Sequence, residues 1–132
     1  MNVRAKKSKC PLGHNHASML EASVCELTAA RQMLGEFDSL VVEQTLRLGP
    51  GKVIYRCDIV ATKPDGSRVY IEAKGREMSR WPTIKRLWKA HGYGPLEIWK
   101  GTARRPVLVQ TIHPEHETIT CPHCLKEFEN KP

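Results

Sequence analysis

Asp58, Glu72 and Lys74 are the residues of this chain whose types and spacing point most directly to chemistry. Glu72 and Lys74 stand two apart in "VYIEAKGRE" (69–77), an otherwise apolar run that stops at Gly75. Side chains alternate along a strand, so Tyr70, Glu72 and Lys74 share one face while Val69, Ile71 and Ala73 share the other. Just upstream, "KPDGS" (63–67) carries Pro64 at the second position of a type I turn and Gly66 where φ must be positive. That is a three-residue hairpin loop with a glycine bulge. With Lys63 opposite Ser67, the register carries Thr62 opposite Arg68 and Asp58 opposite Glu72. Carboxylates so opposed have Cβ atoms about 4.5–5.5 Å apart and repel unless something neutralises them. A hard divalent cation, Mg²⁺ or Mn²⁺, does so through oxygen ligands. An ammonium a few ångströms along can position water or stabilise developing charge, so the set suits phosphodiester hydrolysis. Glu-x-Lys also occurs on solvated strand faces. The acid in register opposite, the apolar flanks and the glycine stop favour the metal.

A second constellation is built from cysteine and histidine. "CPHC" at 121–124 resembles a zinc knuckle, whose turn aims two thiolates at one ion. Structural zinc takes four ligands, and "CPLGHNH" (10–16) offers Cys10 with either His14 or His16. Cys10, Cys121, Cys124 and one of those two histidines would pin the N-terminal segment to the C-terminal tail. His123 points outward from such a knuckle and is a weaker candidate. Cys25 and Cys57 fall inside apolar elements and read as core thiols.

Five cysteines among 132 residues, an odd number with two in the knuckle, argue for thiols that hold metal in a reducing compartment. A formal charge of +7 calls for an anionic partner, with nucleic acid the first candidate. The charge gathers in two places. Arg4, Lys6, Lys7 and Lys9 make residues 1–9 a basic arm, and Arg76, Arg80, Lys85, Arg86 and Lys89 lie just beyond Lys74, where a nucleic-acid backbone would pass. No run of apolar residues is long enough for a membrane span, and no apolar region follows the basic start. A soluble cytoplasmic protein is therefore expected.

The elements that must position these residues follow from periodicity. Leu20, Val24, Leu27, Ala30 and Leu34 mark an amphipathic helix over 17–34 closed by Gly35. "SLVVEQTLRL" (39–48) and "VIYRCDIVAT" (53–62) are β-branched strands split by "GPG", and "SRVYIEAK" (67–74) is a third. "SRWPTIKRLWKAHG" (79–92) is a second helix with Pro82 in its first turn. Its stripe is Ile84, Leu87, Trp88 and His91. Trp81 could stack on a base, although packing beside Pro82 is favoured. "PLEIWK" (95–100) and "RPVLVQTI" (105–112) add two strands. The order helix, three strands, helix, strand, strand predicts an α/β chain. Its mixed sheet has three antiparallel strands and further strands added across a helical crossover.

"CDIV" (57–60) followed by "YIEAKG" (70–75) resembles the PD-(D/E)xK nuclease superfamily. Cys57 stands where the first half-motif has proline. The resemblance spans about residues 14–100. It implies a restriction-endonuclease-like core, α-β-β-β-α-β, with the mixed sheet flanked by helices. "HASMLEASVCEL" (16–27) resembles the first-helix segment of small phage-encoded resolvase-like members and transposon-end endonucleases, which places a further metal-side acid at Glu21. The residues alone offer another role for Glu21: Ser18 and Glu21 have the spacing of a capping box.

These expectations divide the chain into an arm (1–9), a nuclease core (10–112) and a zinc-knuckle tail (113–132) completed by residues 10–16. The expected function is a Mg²⁺- or Mn²⁺-dependent DNA endonuclease with a structural zinc, acting on phage or mobile-element DNA in the cytoplasm, that of the bacterial host cell if the chain is phage-encoded. Its partners would be DNA and a homodimer or larger recombination or packaging assembly. One alternative is a non-catalytic zinc-containing nucleic-acid-binding module. Another is a Holliday-junction resolvase, which needs a dimer to cut two strands symmetrically.

Overall fold

The computed structural model describes residues 8–9, 13–16, 18–51, 53–74, 80–115, 117–120 and 127–130. Two short strands open the chain, β1 (Ser8–Lys9) and β2 (Asn15–His16), paired antiparallel with Lys9 opposite Asn15. The end of the expected basic arm is thus a strand. Helix α1 (Met19–Met33) follows, with Ser18 as N-cap. Then come β3 (Ser39–Arg47), β4 (Ile54–Thr62), β5 (Arg68–Ala73), α2 (Trp81–His91), β6 (Leu96–Thr102) and β7 (Arg105–Ile112). A last hairpin, β8 (Glu117–Thr120) with β9 (Glu127–Asn130), flanks residues 121–126. Among the described residues, no helix is long and apolar enough to cross a membrane.

Strands β3 to β7 form one sheet in sequence order. The β5–β6 pair is parallel, because α2 carries the chain across, and the other pairs are antiparallel. The chain is therefore α/β with a mixed five-stranded sheet, as the element order predicted. The turn at 63–67 forms as its residues dictate: Lys63 N–H bonds Ser67 O at 2.7 Å, and Gly66 takes φ 89°. It sets the register of β4 on β5, with Thr62 opposite Arg68 and Ile59 opposite Ile71.

The central strands of the sheet are buried on both faces. One apolar cluster joins Trp81, Ile84 and Trp88 of α2 to Tyr55, Cys57, Val60, Tyr70, Leu96 and Ile98. The other joins Leu20, Ala22, Val24 and Cys25 of α1 to Ile59, Ala61, Val69 and Ile71. The helices thus cover opposite faces, and β5 runs buried on both sides, as a central strand must. Arg31 fixes the end of α1 to the sheet through Glu97, with Nη1 2.7 Å from Oε1.

The buried face of α1 is not the expected stripe. Leu20, Glu21, Val24, Cys25 and Thr28 face inward, whereas Ala30 is exposed and Leu34 is 87% exposed. Both phases satisfy helical spacing. The small residues Ala22, Cys25 and Thr28 let α1 approach the sheet, and the last turn overruns it. This rotation brings Glu21 and Cys25, one turn apart, onto the sheet side.

Candidate active site and metal cluster

Strand β4 changes phase at Asp58. Tyr55 and Cys57 pack toward α2, yet Ile59 and Ala61, which plain alternation would put on the same side, pack toward α1. Opposite this point on β3, Glu43 takes φ 58°, left-handed for a non-glycine residue, and no Glu43–Asp58 ladder pair forms although pairing is regular on either side. Such an irregularity re-aims a side chain. On the other flank, the ladder with β5 ends at Ile59–Ile71. Beyond it, side chains replace the ladder: Asp58 Oδ2 accepts from Ala73 N–H at 2.8 Å, and Glu72 Oε2 accepts from Asp58 N–H at 3.3 Å. The expected register thus brings Asp58 and Glu72 together.

Lys74 continues the face of Glu72. Its backbone N–H bonds Trp99 O at 2.8 Å, and its Nζ lies 2.9 Å from Glu72 Oε1 and 4.6 Å from the centre of the Trp81 ring. Trp81 is packed, as expected, and it seats an ammonium as well. Lys85 Nζ lies 5.9 Å from the same ring.

Burial raises the carboxyl pKa of Asp58 well above the ordinary aspartate range, and the charges of Glu72 and Glu21 raise it further. The charge of Glu21 is thus felt at Asp58, but among the described residues Glu21, Asp58 and Glu72 do not bring ligand atoms together as a close group. Glu21 is buried, and its backbone N–H donates to Ser18 Oγ at 3.1 Å, one half of the capping box. Its carboxylate turns to His16, with Oε1 3.3 Å from Nδ1. The Tyr55 phenol is likewise pushed up, chiefly by burial and then by the charge of Glu72, so it stays a neutral donor. Tyr55 and Trp81 line a pocket with Arg56, Glu72, Lys74 and Arg80. The Tyr55 hydroxyl and Trp81 Nε1 are buried there without a hydrogen-bond partner among the described residues. Sequence reasoning did not single out Tyr55. Its position one strand step before Cys57, facing the same side, was the available signal.

Of the expected nucleic-acid contacts, Arg80 lines this pocket and Lys85 sits beside Trp81, while Arg86 and Lys89 are exposed on α2. Arg76 lies outside the described residues, as do Cys10, Cys121 and Cys124. Cys57 is the core thiol expected, wholly buried with its pKa pushed up by burial.

Cys25 is also a buried core thiol, as expected, and its sulfur faces His14. His14, His16 and Cys25 bring one ligand atom each to within 4.8 Å of one another, a cluster that could hold a metal ion. Both histidines belong to it, where the sequence suggested one, because β2 docks against the first turns of α1. Searched against protein-family models, curated proteins and solved structures, the chain finds no match.

Proposed function

We propose that this chain is a metal-dependent DNA endonuclease of the PD-(D/E)xK kind, with a restriction-endonuclease-like core and a structural zinc. The observation that carries this reading is the meeting of Asp58, Glu72 and the charge of Glu21 where β4 breaks its alternation, with Lys74 against Glu72. A protein that needed those acids only for structure would gain from separating them. The donor set is hard oxygen, and Asp58, its pKa raised first by burial and then by the charges of Glu72 and Glu21, is a carboxyl whose ionised form a divalent cation would favour. Asp58, Glu72 and Glu21 would hold Mg²⁺ or Mn²⁺. When bound, that ion supplies charge neutralisation at the phosphate and a water acidic enough to attack it.

The chain's own groups do the rest. Lys74, steadied between Glu72 and the Trp81 ring, holds a positive charge where the attacking water or the developing phosphorane oxygen would sit. Tyr55 and Trp81 line the pocket beside Glu72 and Lys74 and shape the space a phosphate would enter. Arg80, with Arg76, Lys85, Arg86 and Lys89, neutralises flanking phosphates and so positions the strand without reading its sequence. Phage or mobile-element DNA is the substrate class the resemblance suggests.

A cleavage assay with Mg²⁺ or Mn²⁺ over linear, branched and single-stranded DNA tests the reading. Wild-type protein should cut, and Glu72→Ala should abolish cutting while leaving DNA affinity intact or improved. Binding without cutting by wild-type protein would leave a nucleic-acid-binding module in its place. Cutting confined to four-way junctions would make it a resolvase.

A further inference from the structure

We infer that His14 Nδ1, His16 Nε2 and Cys25 Sγ are the ligands of a zinc ion whose order is passed to Glu21 through His16. The distances suit it. With Zn–N of about 2.0–2.1 Å and Zn–S of about 2.3 Å, a tetrahedral angle sets neighbouring N and S ligands at about 3.6 Å. His14 Nδ1 and Cys25 Sγ already stand 3.5 Å apart. All three ligand atoms lie within 4.8 Å of one another, a span that small side-chain rotations would bring to coordination distance. Two imidazoles and one thiolate select zinc over the hard ions suited to Asp58 and Glu72.

A separate observation points the same way. His16 has a side chain with no solvent exposure, and its Nε2 has no hydrogen-bond partner among the described residues. A buried imidazole nitrogen left so is costly. Its other nitrogen, Nδ1, faces Glu21 Oε1 at 3.3 Å. The carboxylate thereby fixes the tautomer: Nδ1 carries the proton and donates, and the Nε2 lone pair is available to metal. Carboxylate, histidine and metal in series is a recurrent way to orient a ligand and raise its basicity. Binding converts the Cys25 thiol to a thiolate and sends its proton to solvent.

The site differs from the one expected from the sequence. Among the described residues it draws Cys25, in the apolar cluster beneath α1, into coordination, and the tetrahedron takes a fourth ligand beyond these three. Only its consequence rests on the nuclease reading: Glu21 would be held for the hard-metal centre by a histidine that zinc in turn holds.

The test uses full-length protein carrying Cys121→Ser and Cys124→Ser together. Elemental analysis should find stoichiometric zinc, and the Co²⁺-substituted protein should show a thiolate-to-metal charge-transfer band with strong tetrahedral ligand-field bands. Adding Cys25→Ser should remove or sharply weaken that band. Glu21→Gln should keep zinc but weaken its binding by about 10–100-fold. Loss of zinc from the double variant would overturn the proposal and return the ion to the tail. So would a Co²⁺ spectrum unchanged by Cys25→Ser, or zinc affinity indifferent to His16→Ala. Should Cys25→Ser fail to fold, the His16→Ala and Glu21→Gln affinities decide. Zinc behaving as expected in a protein that never cuts DNA would remove the nuclease reading and leave this site standing.

Discussion

Lys74 Nζ rests 2.9 Å from Glu72 Oε1, with side chains only 17% and 4% exposed, so the ammonium supplies the compensating charge for a carboxylate that water barely reaches. Its removal has two consequences that can be read separately. In Lys74→Met, Glu72 is left buried beside Asp58 without its ammonium partner, and metal-free protein should lose about 1–3 kcal/mol by urea unfolding. Mg²⁺ should restore part of that loss. Turnover should still fall by about 10²–10³-fold, because a cation among the carboxylates does not replace the lysine's place at the phosphate. Unchanged cleavage would take Lys74 out of the chemistry.

Asp58 gives a pH dependence with a definite sign. Its carboxyl is pushed up in the folded protein by burial and by Glu72 and Glu21. Between about pH 4, where an unfolded aspartate ionises, and the raised folded value, the native state binds more protons than the unfolded one. Stability from this group is therefore present at low pH and is lost as pH rises through that window. Asp58→Asn, which can still accept from Ala73 N–H, should be more stable than wild type by about 1–3 kcal/mol at pH 8 in chelator, the gap closing toward pH 4. Mg²⁺ should raise the wild-type Tm more at pH 8 than at pH 6, since the proton competes with the ion. A gap that widens on acidification would contradict this.

Ser18 and Glu21 can be parted because the capping bond uses the Glu21 backbone N–H, not its carboxylate. Ser18→Ala should cost about 1 kcal/mol of stability and leave Mg²⁺ affinity alone. Glu21→Gln should keep the cap and weaken Mg²⁺ binding about tenfold, measured by calorimetry. The reverse pattern would assign Glu21 to the helix end.

Two glycines should respond differently to alanine. At Gly92, with φ −65°, an added Cβ would meet Trp88 O at 2.5 Å and the Trp88 ring at 2.7 Å, and a backbone carbonyl cannot turn aside. At Gly35, with φ +88°, a Cβ meets nothing within 4 Å and only the left-handed backbone resists. Gly92→Ala should cost about 2–3 kcal/mol by overpacking, and Gly35→Ala about 1–2 kcal/mol. Equal losses by thermal unfolding would show that the Trp88 contact yields.

Much of the frame was legible because its signals are local. The turn residues Pro64 and Gly66 fix the β4–β5 register, and with it the meeting of Asp58 and Glu72. The break at Asp58 was not legible, since neither glycine nor proline marks it and Glu43 takes a left-handed conformation against its own preference. The rotation of α1 was ambiguous for a different reason: Leu27, Ala30 and Leu34 fit a helical stripe as well as Glu21, Cys25 and Thr28 do. The grouping of His14, His16 and Cys25 depends on docking β2 against α1, which no spacing rule encodes. The pocket donors Tyr55 and Trp81 looked like ordinary core aromatics, and only their unmatched polar atoms distinguish them.

The three-residue turn also sets the order in which the acids meet during folding. Closing so short a loop is fast, so β4 and β5 can pair while both faces are still in water and Asp58 and Glu72 remain hydrated. Glu21 comes from far along the chain and joins only when α1 docks, and most of the desolvation falls on that later step. Repulsion among the carboxylates is thus expected to slow helix docking and to spare hairpin formation. Mild acid or Asp58→Asn should accelerate the late phase of refolding, a kinetic trace of a site assembled from a near pair and a distant third.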